Sequence, residues 1–306
     1  MNNASTAVAL TQAPSIVREY YELTKPGITQ MVAMTTVTGY YLAIPTDVAT
    51  YASSPQHWIN FLATTIGAVL ISGGSCVFNH VMERDSDALM KRTASRPLPT
   101  GSITPVAALM FGTVISVLGA VLLATTNMLT FMLALATWLS YVVVYTPLKS
   151  RTSFAMLIGG LPGALPFAGG WVAVRGEFDA MALALFAILF FWQMPHFLAL
   201  GWMYRTEYLA GGLALRALHD HTGATASWQM IMYSIALIGA LIVPTIIGTT
   251  GIVYGIGSVA LGLWLVVETI QFRSRRTVPA ARRVLLTSYA VLMGALVLMV
   301  IDKASI

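Results

Sequence analysis

Asn79, Glu83 and Asp87 stand four residues apart in the run Asn79-His80-Val81-Met82-Glu83-Arg84-Asp85-Ser86-Asp87, just after a strongly apolar segment. On a helix, steps of four drift by only about 40° each, so the three side chains share one face. Two carboxylates and an amide oxygen make a hard-oxygen set suited to Mg²⁺. That ion keeps most of its waters and binds one or two carboxylates together with a ligand's phosphates. Asp85 points elsewhere on such a helix and reads as a supporting or structural residue. Next comes Lys91-Arg92-Thr93-Ala94-Ser95-Arg96-Pro97-Leu98-Pro99. Carboxylates that hold a cation beside arginine forks are the usual apparatus for a diphosphate.

Three further clusters carry chemistry. Tyr145-Thr146-Pro147-Leu148-Lys149 closes an apolar run, where a tyrosine anchor and a lysine set by topology are common. Trp192-Gln193-Met194-Pro195-His196-Phe197 lies inside another. An intramembrane histidine is a functional candidate, because neutral imidazole can ligate iron or hydrogen-bond a propionate. Its bland alternative is a satisfied core histidine. Arg205-Thr206-Glu207-Tyr208 offers Glu207 as a second cation-binding carboxylate, or else a solvated helix end. His219-Asp220-His221 resembles a metal triplet, but adjacent loop residues rarely converge on one ion, so it is set aside. His80 is a weaker candidate for touching substrate. His57 and Trp58 are expected at the outer interface. Glu268 is expected to snorkel toward Arg273 or Arg275, or to face the interior.

The elements that must position these groups are membrane helices. Apolar residues form 57% of the chain and charged residues 9%, with a mean hydropathy of +0.76. Soluble domains sit nearer about 45–50% apolar and about 25% charged. The fold class is therefore an all-α polytopic membrane bundle. Nine spans are expected, at 28–45, 59–78, 105–126, 128–146, 155–174, 181–201, 226–247, 251–271 and 284–301. The runs are too long and continuous for a β-barrel. Gly159, Gly160, Gly163, Gly169 and Gly170 suit close helix packing, and Pro162, Pro166, Pro195 and Pro244 suit kinks.

With the N-terminus cytoplasmic, only Arg175 and Lys303 of the 17 basic residues fall on the far side, and the positive-inside rule fixes that orientation. The pI near 9.4 then reflects topology, not a nucleic-acid partner. The N-terminal residues lack the basic-then-apolar pattern of a signal peptide. Residues 1–20 are expected to be a disordered cytoplasmic tail and 21–306 a single nine-helix domain. Its two long loops, 79–104 and 204–226, both follow an even-numbered span, hinting at duplication with an offset of four helices. Long loops in compact proteins are often functional, so the chemistry is placed on the cytoplasmic side. The lone cysteine, Cys76, excludes an internal disulfide and reads as a small hydrophobe.

Together these residues resemble the UbiA superfamily of intramembrane prenyltransferases, and within it the protohaem IX farnesyltransferase (haem O synthase) branch. The stretch from Asn79 through Asp87, Met90, Arg92-Thr93 and Arg96-Pro97-Leu98 to Gly101 is similar to the first aspartate-rich motif of that branch. Tyr145 and Lys149 match a Tyr-x-x-x-Lys element. Trp192, Pro195-His196-Phe197 and Ala199-Leu200 match a Trp-x-x-Pro-His-Phe segment more particular to the branch. Arg205 to Gly212 sits where a second acidic motif belongs. Glu83 stands where many members carry Asp, His80 where many carry a second acid, and Thr206-Glu207 where an acidic pair is common. This weakens the case for a second full Mg²⁺ site.

The resemblance implies transfer of farnesyl from farnesyl diphosphate to a vinyl group of haem B, with water addition, giving haem O. It implies Mg²⁺ on Asn79, Glu83 and Asp87, with Glu207 as a further ligand. Asn79, Glu83, Asp87 and Lys149 would be catalytic. Arg84, Arg92, Arg96, Tyr145 and Arg205 would hold the diphosphate, and His196 and Trp192 the haem. The implied partners are the two substrates, the lipid bilayer of a bacterial inner membrane, and a haem A synthase or terminal oxidase receiving the product. Three rivals compete: a related enzyme acting on an aromatic acid or chlorin, a secondary transporter, and a haem-binding subunit without chemistry. Trp-x-x-Pro-His-Phe argues against the first. The crowding of charge at one face argues against the second. The lack of paired histidines on facing helices argues against the third.

Overall fold

The computed structural model describes residues 15–45, 47–152, 154–212 and 220–304. Among the described residues nine long helices follow one another: α1 (Pro26–Ala43), α2 (Pro55–Ala88), α3 (Pro105–Thr126), α4 (Met128–Leu148), α5 (Ala155–Arg175), α6 (Ala180–Met203), α7 (Ala224–Ile247), α8 (Ile252–Arg275) and α9 (Val278–Ile301). All but α1 are long and apolar enough to cross a membrane. In α1 the apolar face is diluted by Thr29, Gln30, Thr35, Thr36, Thr38, Tyr40 and Tyr41. The chain is thus a multi-pass membrane protein. Helix starts follow local chemistry. Proline opens α1, α2 and α3, where its missing N–H has no partner to lose. The side chains of Thr104, Asn127, Asp179 and Thr277 cap the first turns of α3, α4, α6 and α9.

Each helix packs on its neighbours in sequence, α9 closes on α1, and the pairs α1–α5 and α6–α9 cross the interior. Lipid tails are as apolar as the helix faces, so close packing rather than hydrophobic burial holds such helices together. Gly39 of α1 lies against the Phe167 carbonyl of α5, and Gly170 of α5 against the Thr36 carbonyl of α1. A side chain at either would force the two backbones apart. The outward stripe Val106, Met110, Val114, Val117 and Val121 of α3 is exposed and apolar, as a lipid-facing surface must be.

Four local features differ from the sequence expectation. A short helix, Ile16–Leu23, begins inside the segment expected to be disordered, capped by Ser15; residues 1–14 lie outside the described residues. Helix α2 runs on through the acidic cluster to Ala88. Helix α4 widens to a π-helix over Ser140–Tyr145. Pro147 explains the widening, because in a regular helix its ring would clash with the carbonyl four residues back. The Thr146 hydroxyl donates instead to the Tyr141 carbonyl at 2.8 Å. Glu268 faces Arg283 at 3.7 Å, not Arg273 or Arg275. Among the glycines expected to allow packing, Gly159 and Gly163 make room for the side chains of Tyr145 and Gln193, whereas Gly169 faces open space.

Candidate active site

A cavity of about 660 Å³ opens at the end of the bundle that carries the acidic cluster. Its first wall is α2. Asn79, Glu83 and Asp87 are 1%, 8% and 1% exposed and all line the cavity, whereas the Asp85 side chain is 89% exposed. The four-residue spacing produces this division directly. Burying carboxylates is costly unless they are paired, and here each has a cation. Lys149 Nζ lies 2.5 Å from Glu83 Oε1, and Arg96 Nη1 lies 2.7 Å from Asp87 Oδ2. Asn79 Nδ2 donates to Glu83 Oε1 at 2.5 Å and to Thr146 Oγ1 at 3.1 Å. The Lys25 ammonium donates to Asn79 Oδ1. Burial pulls this ammonium below its ordinary proton affinity, Arg96 and Lys149 add to the fall, and Glu83 opposes it.

Lys25 is the site residue that sequence reasoning missed; its charge was read only as topology. It adopts a left-handed backbone (φ 51°) between the Ile16–Leu23 helix and Pro26. Non-glycine residues held there cost of order 1–3 kcal/mol and cluster at functional sites. The Lys-Pro-Gly step was the available signal. Tyr141 was also missed. The π-helix of α4 brings Tyr141, Tyr145 and Lys149 onto the same cavity.

The second wall is α6 with α9. Trp192 Nε1 donates to the Ser288 carbonyl at 2.5 Å. His196 Nδ1 and Ser288 Oγ are 2.9 Å apart, and that hydroxyl donates to the Leu285 carbonyl at 2.7 Å. With its one proton committed, Ser288 Oγ accepts from His196 Nδ1–H, which leaves the lone pair on Nε2. The rings of Trp192, His196 and Tyr289 stand together on this wall, with His196 edge-on to Tyr289 at 4.7 Å. Gln193 is anchored through Nε2 to the Gly160 carbonyl at 2.7 Å.

The structure therefore brings Asn79, Glu83, Asp87, Arg92, Arg96, Tyr145, Lys149, Trp192 and His196 to one cavity. It does not bring Arg84, Arg205 or Glu207 there. Arg84 pairs with Asp85 at 3.0 Å on the outer surface. Arg205 contacts His221 Nδ1 at 2.9 Å and lies over the Trp202 ring. Glu207 Oε2 accepts from the Arg92 backbone N–H at 3.1 Å, and Ser86 donates to the Gly211 carbonyl at 2.6 Å. Through Glu207 and Gly211 the second loop thus braces the first from outside the cavity, while its Tyr208 lines the cavity. Arg92 is held over Tyr204 and Tyr208 at 5.5 and 5.8 Å. Asp220 and His221 belong to a turn built on Thr222, and His219 lies outside the described residues. His57 and Trp58 bond the carbonyls of Tyr51 and Ala52, at the other end of α2 from Asp87.

Among the described residues no three His, Cys, Asp or Glu side chains converge as a metal cage. Two carboxylates and an amide beside four cations still fit an ion that takes its remaining ligands from water and a diphosphate. Lys25, Arg92, Arg96 and Lys149 outnumber Glu22, Glu83 and Asp87, so the cavity favours an anion, and a bound cation would strengthen that preference.

Comparisons with known proteins point the same way. Residues 33–293 match the model of the UbiA prenyltransferase family. The protoheme IX farnesyltransferase of Solibacter usitatus is 36% identical, over 94% of this chain and 99% of that protein. That of Salinibacter ruber is 39% identical, over 93% and 98%. A solved structure concerning digeranylgeranylglyceryl phosphate synthase has a TM-score of 0.75 at 16% identity, covering 94% of this chain and 98% of that one. A UbiA homologue from Archaeoglobus fulgidus, bound to GPP and Mg²⁺, has a TM-score of 0.63 at 13% identity, covering 92% and 99%.

Proposed function

The chain belongs to the UbiA prenyltransferase family, and we infer that it transfers the farnesyl group of farnesyl diphosphate to a vinyl group of haem B, with water addition, releasing haem O and diphosphate. The observation that carries this reading is the pairing of two unlike walls on one cavity: buried carboxylates on α2 with cations brought to them from other segments, and a histidine-bearing aromatic wall on α6 and α9. Asn79, Glu83 and Asp87 are the residues that would hold Mg²⁺. The ion would neutralise part of the diphosphate charge and so favour its departure. Lys25, Arg92, Arg96 and Lys149 supply the remaining positive charge. On substrate binding, Lys149 and Arg96 turn from Glu83 and Asp87 toward phosphate oxygens.

Departure of diphosphate leaves an allylic cation at C1, which water would quench. The apolar faces of α1 and α5, with Met31, Val32, Met156 and Pro162, line the cavity and exclude bulk water from it. The vinyl group attacks C1, and the new cation beside the porphyrin takes up water. His196, fixed by Ser288, presents Nε2 toward the acceptor as an iron ligand or an orienting group. Positive charge at the active end supports a cytoplasmic position for that end and for the N-terminus, in a bacterial inner membrane with the C-terminus opposite. On the farnesyl-haem reading alone, the product would pass to haem A synthase or a terminal oxidase. The test is to incubate membranes holding the protein with haem B and farnesyl diphosphate, with and without Mg²⁺, and to analyse extracted haem by mass spectrometry. A Mg²⁺-dependent haem bearing farnesyl plus water is expected. Unmodified haem beside prenylated 4-hydroxybenzoate would refute the acceptor assignment.

A further inference from the structure

His80 is 1% exposed and lines the cavity, yet neither Nδ1 nor Nε2 has a hydrogen-bond partner among the described residues. Buried polar groups almost always have partners, and one bordering a polar cavity finds its partner in what fills the cavity. The other buried side chains with unpartnered atoms, including Thr65, Trp171 and Tyr254, lie away from the cavity. His80 follows Asn79 and precedes Glu83 by one turn, so it sits at the inner edge of the acidic cluster, where the prenyl C1 must lie if the diphosphate is held beside Glu83 and Asp87 by the cations paired with them and by an ion on those carboxylates.

A neutral imidazole has one donor and one acceptor nitrogen. The donor can meet a diphosphate oxygen. The acceptor needs a donor: among the described residues none of the donors lining the cavity reaches His80, and the substrates offer none. Diphosphate oxygens accept, the farnesyl chain is hydrocarbon, and so is the vinyl edge of haem. The missing donor is water. Resting on the reading above, we propose that His80 is a positioning residue that holds the water molecule added after farnesyl transfer.

The step balances as follows. The C–O bond to diphosphate breaks with its electron pair leaving on diphosphate, and the vinyl carbon then bonds to the C1 cation, leaving a cation on the carbon next to the porphyrin. The oxygen of the held water bonds to that carbon, and its proton leaves to the released diphosphate. Without a held water, the same cation loses a proton from the adjacent carbon, giving an alkene lighter by one water.

The test is the ratio of hydrated to dehydrated farnesyl-haem made by wild type, His80→Leu, His80→Phe and His80→Gln, each checked for folding by size-exclusion in detergent. Leu and Phe should lower the ratio about tenfold or more, as expected when the only hydrogen bond to a water is lost. Gln, which keeps a donor and an acceptor, should restore it. Leu and Phe bracket the imidazole in shape, so either folded variant decides the matter. A wild-type ratio in a folded Leu or Phe variant overturns the proposal. So does a folded variant that makes no prenylated haem, because His80 would then serve transfer itself. If wild type makes no prenylated haem, the failure lies in the farnesyl-haem reading and not in His80.

Discussion

The two walls of the cavity are built on opposite principles. On α2, Glu83 and Asp87 are held by Lys149 and Arg96, and Asn79 by Lys25. In each pair a long, flexible basic side chain can exchange its partner. On α6, Trp192, Gln193 and His196 are tied to backbone carbonyls, or to a hydroxyl that is itself tied to one. These bonds have no reason to change during a reaction. One wall has its charge gathered in advance, so that binding swaps partners instead of collecting ions. The other keeps a fixed geometry for a flat acceptor. Preorganised charge serves the leaving group, and preorganised orientation serves the attack.

The sharpest way to break this division is Asp87→Ala. Turnover should fall by at least about 10³-fold, since a proposed metal ligand and the partner of Arg96 go together. Haem affinity, read by absorbance titration, should be unchanged. His196→Ala should do the reverse, with haem affinity down by about 10–100-fold and Mg²⁺-dependent binding of farnesyl diphosphate intact. Ser288→Ala loosens the same imidazole without removing it, and turnover should drop by about 3–10-fold. Smallest of all is Arg84→Ala, expected within about twofold of wild type because that arginine holds an exposed pair with Asp85. A large loss at Arg84 would mean that the diphosphate reaches beyond the cavity described.

The helices and the α2 face were legible because both follow from periodicity. A step of four sets Asn79, Glu83 and Asp87 together whatever surrounds them. The partners of charged residues were not legible. Glu207 was placed among the metal ligands, yet its carboxylate caps a backbone N–H at Arg92, a choice made by how two loops meet. Glu268 chose Arg283 on the next helix over the arginines of its own. The left-handed Lys25 and the π-turn before Pro147 are backbone events. Prolines flag both, but only the packed bundle decides which way the chain turns.

The most direct test is a crossed binding experiment on folded Asp87→Ala and His196→Ala proteins. Haem titration is followed by absorbance, and a non-ionising farnesyl thiodiphosphate is titrated with and without Mg²⁺. The account predicts that Asp87→Ala loses Mg²⁺-dependent thiodiphosphate binding and keeps haem, while His196→Ala loses haem and keeps the thiodiphosphate. Loss of both ligands in either folded variant, or no loss in either, would contradict it.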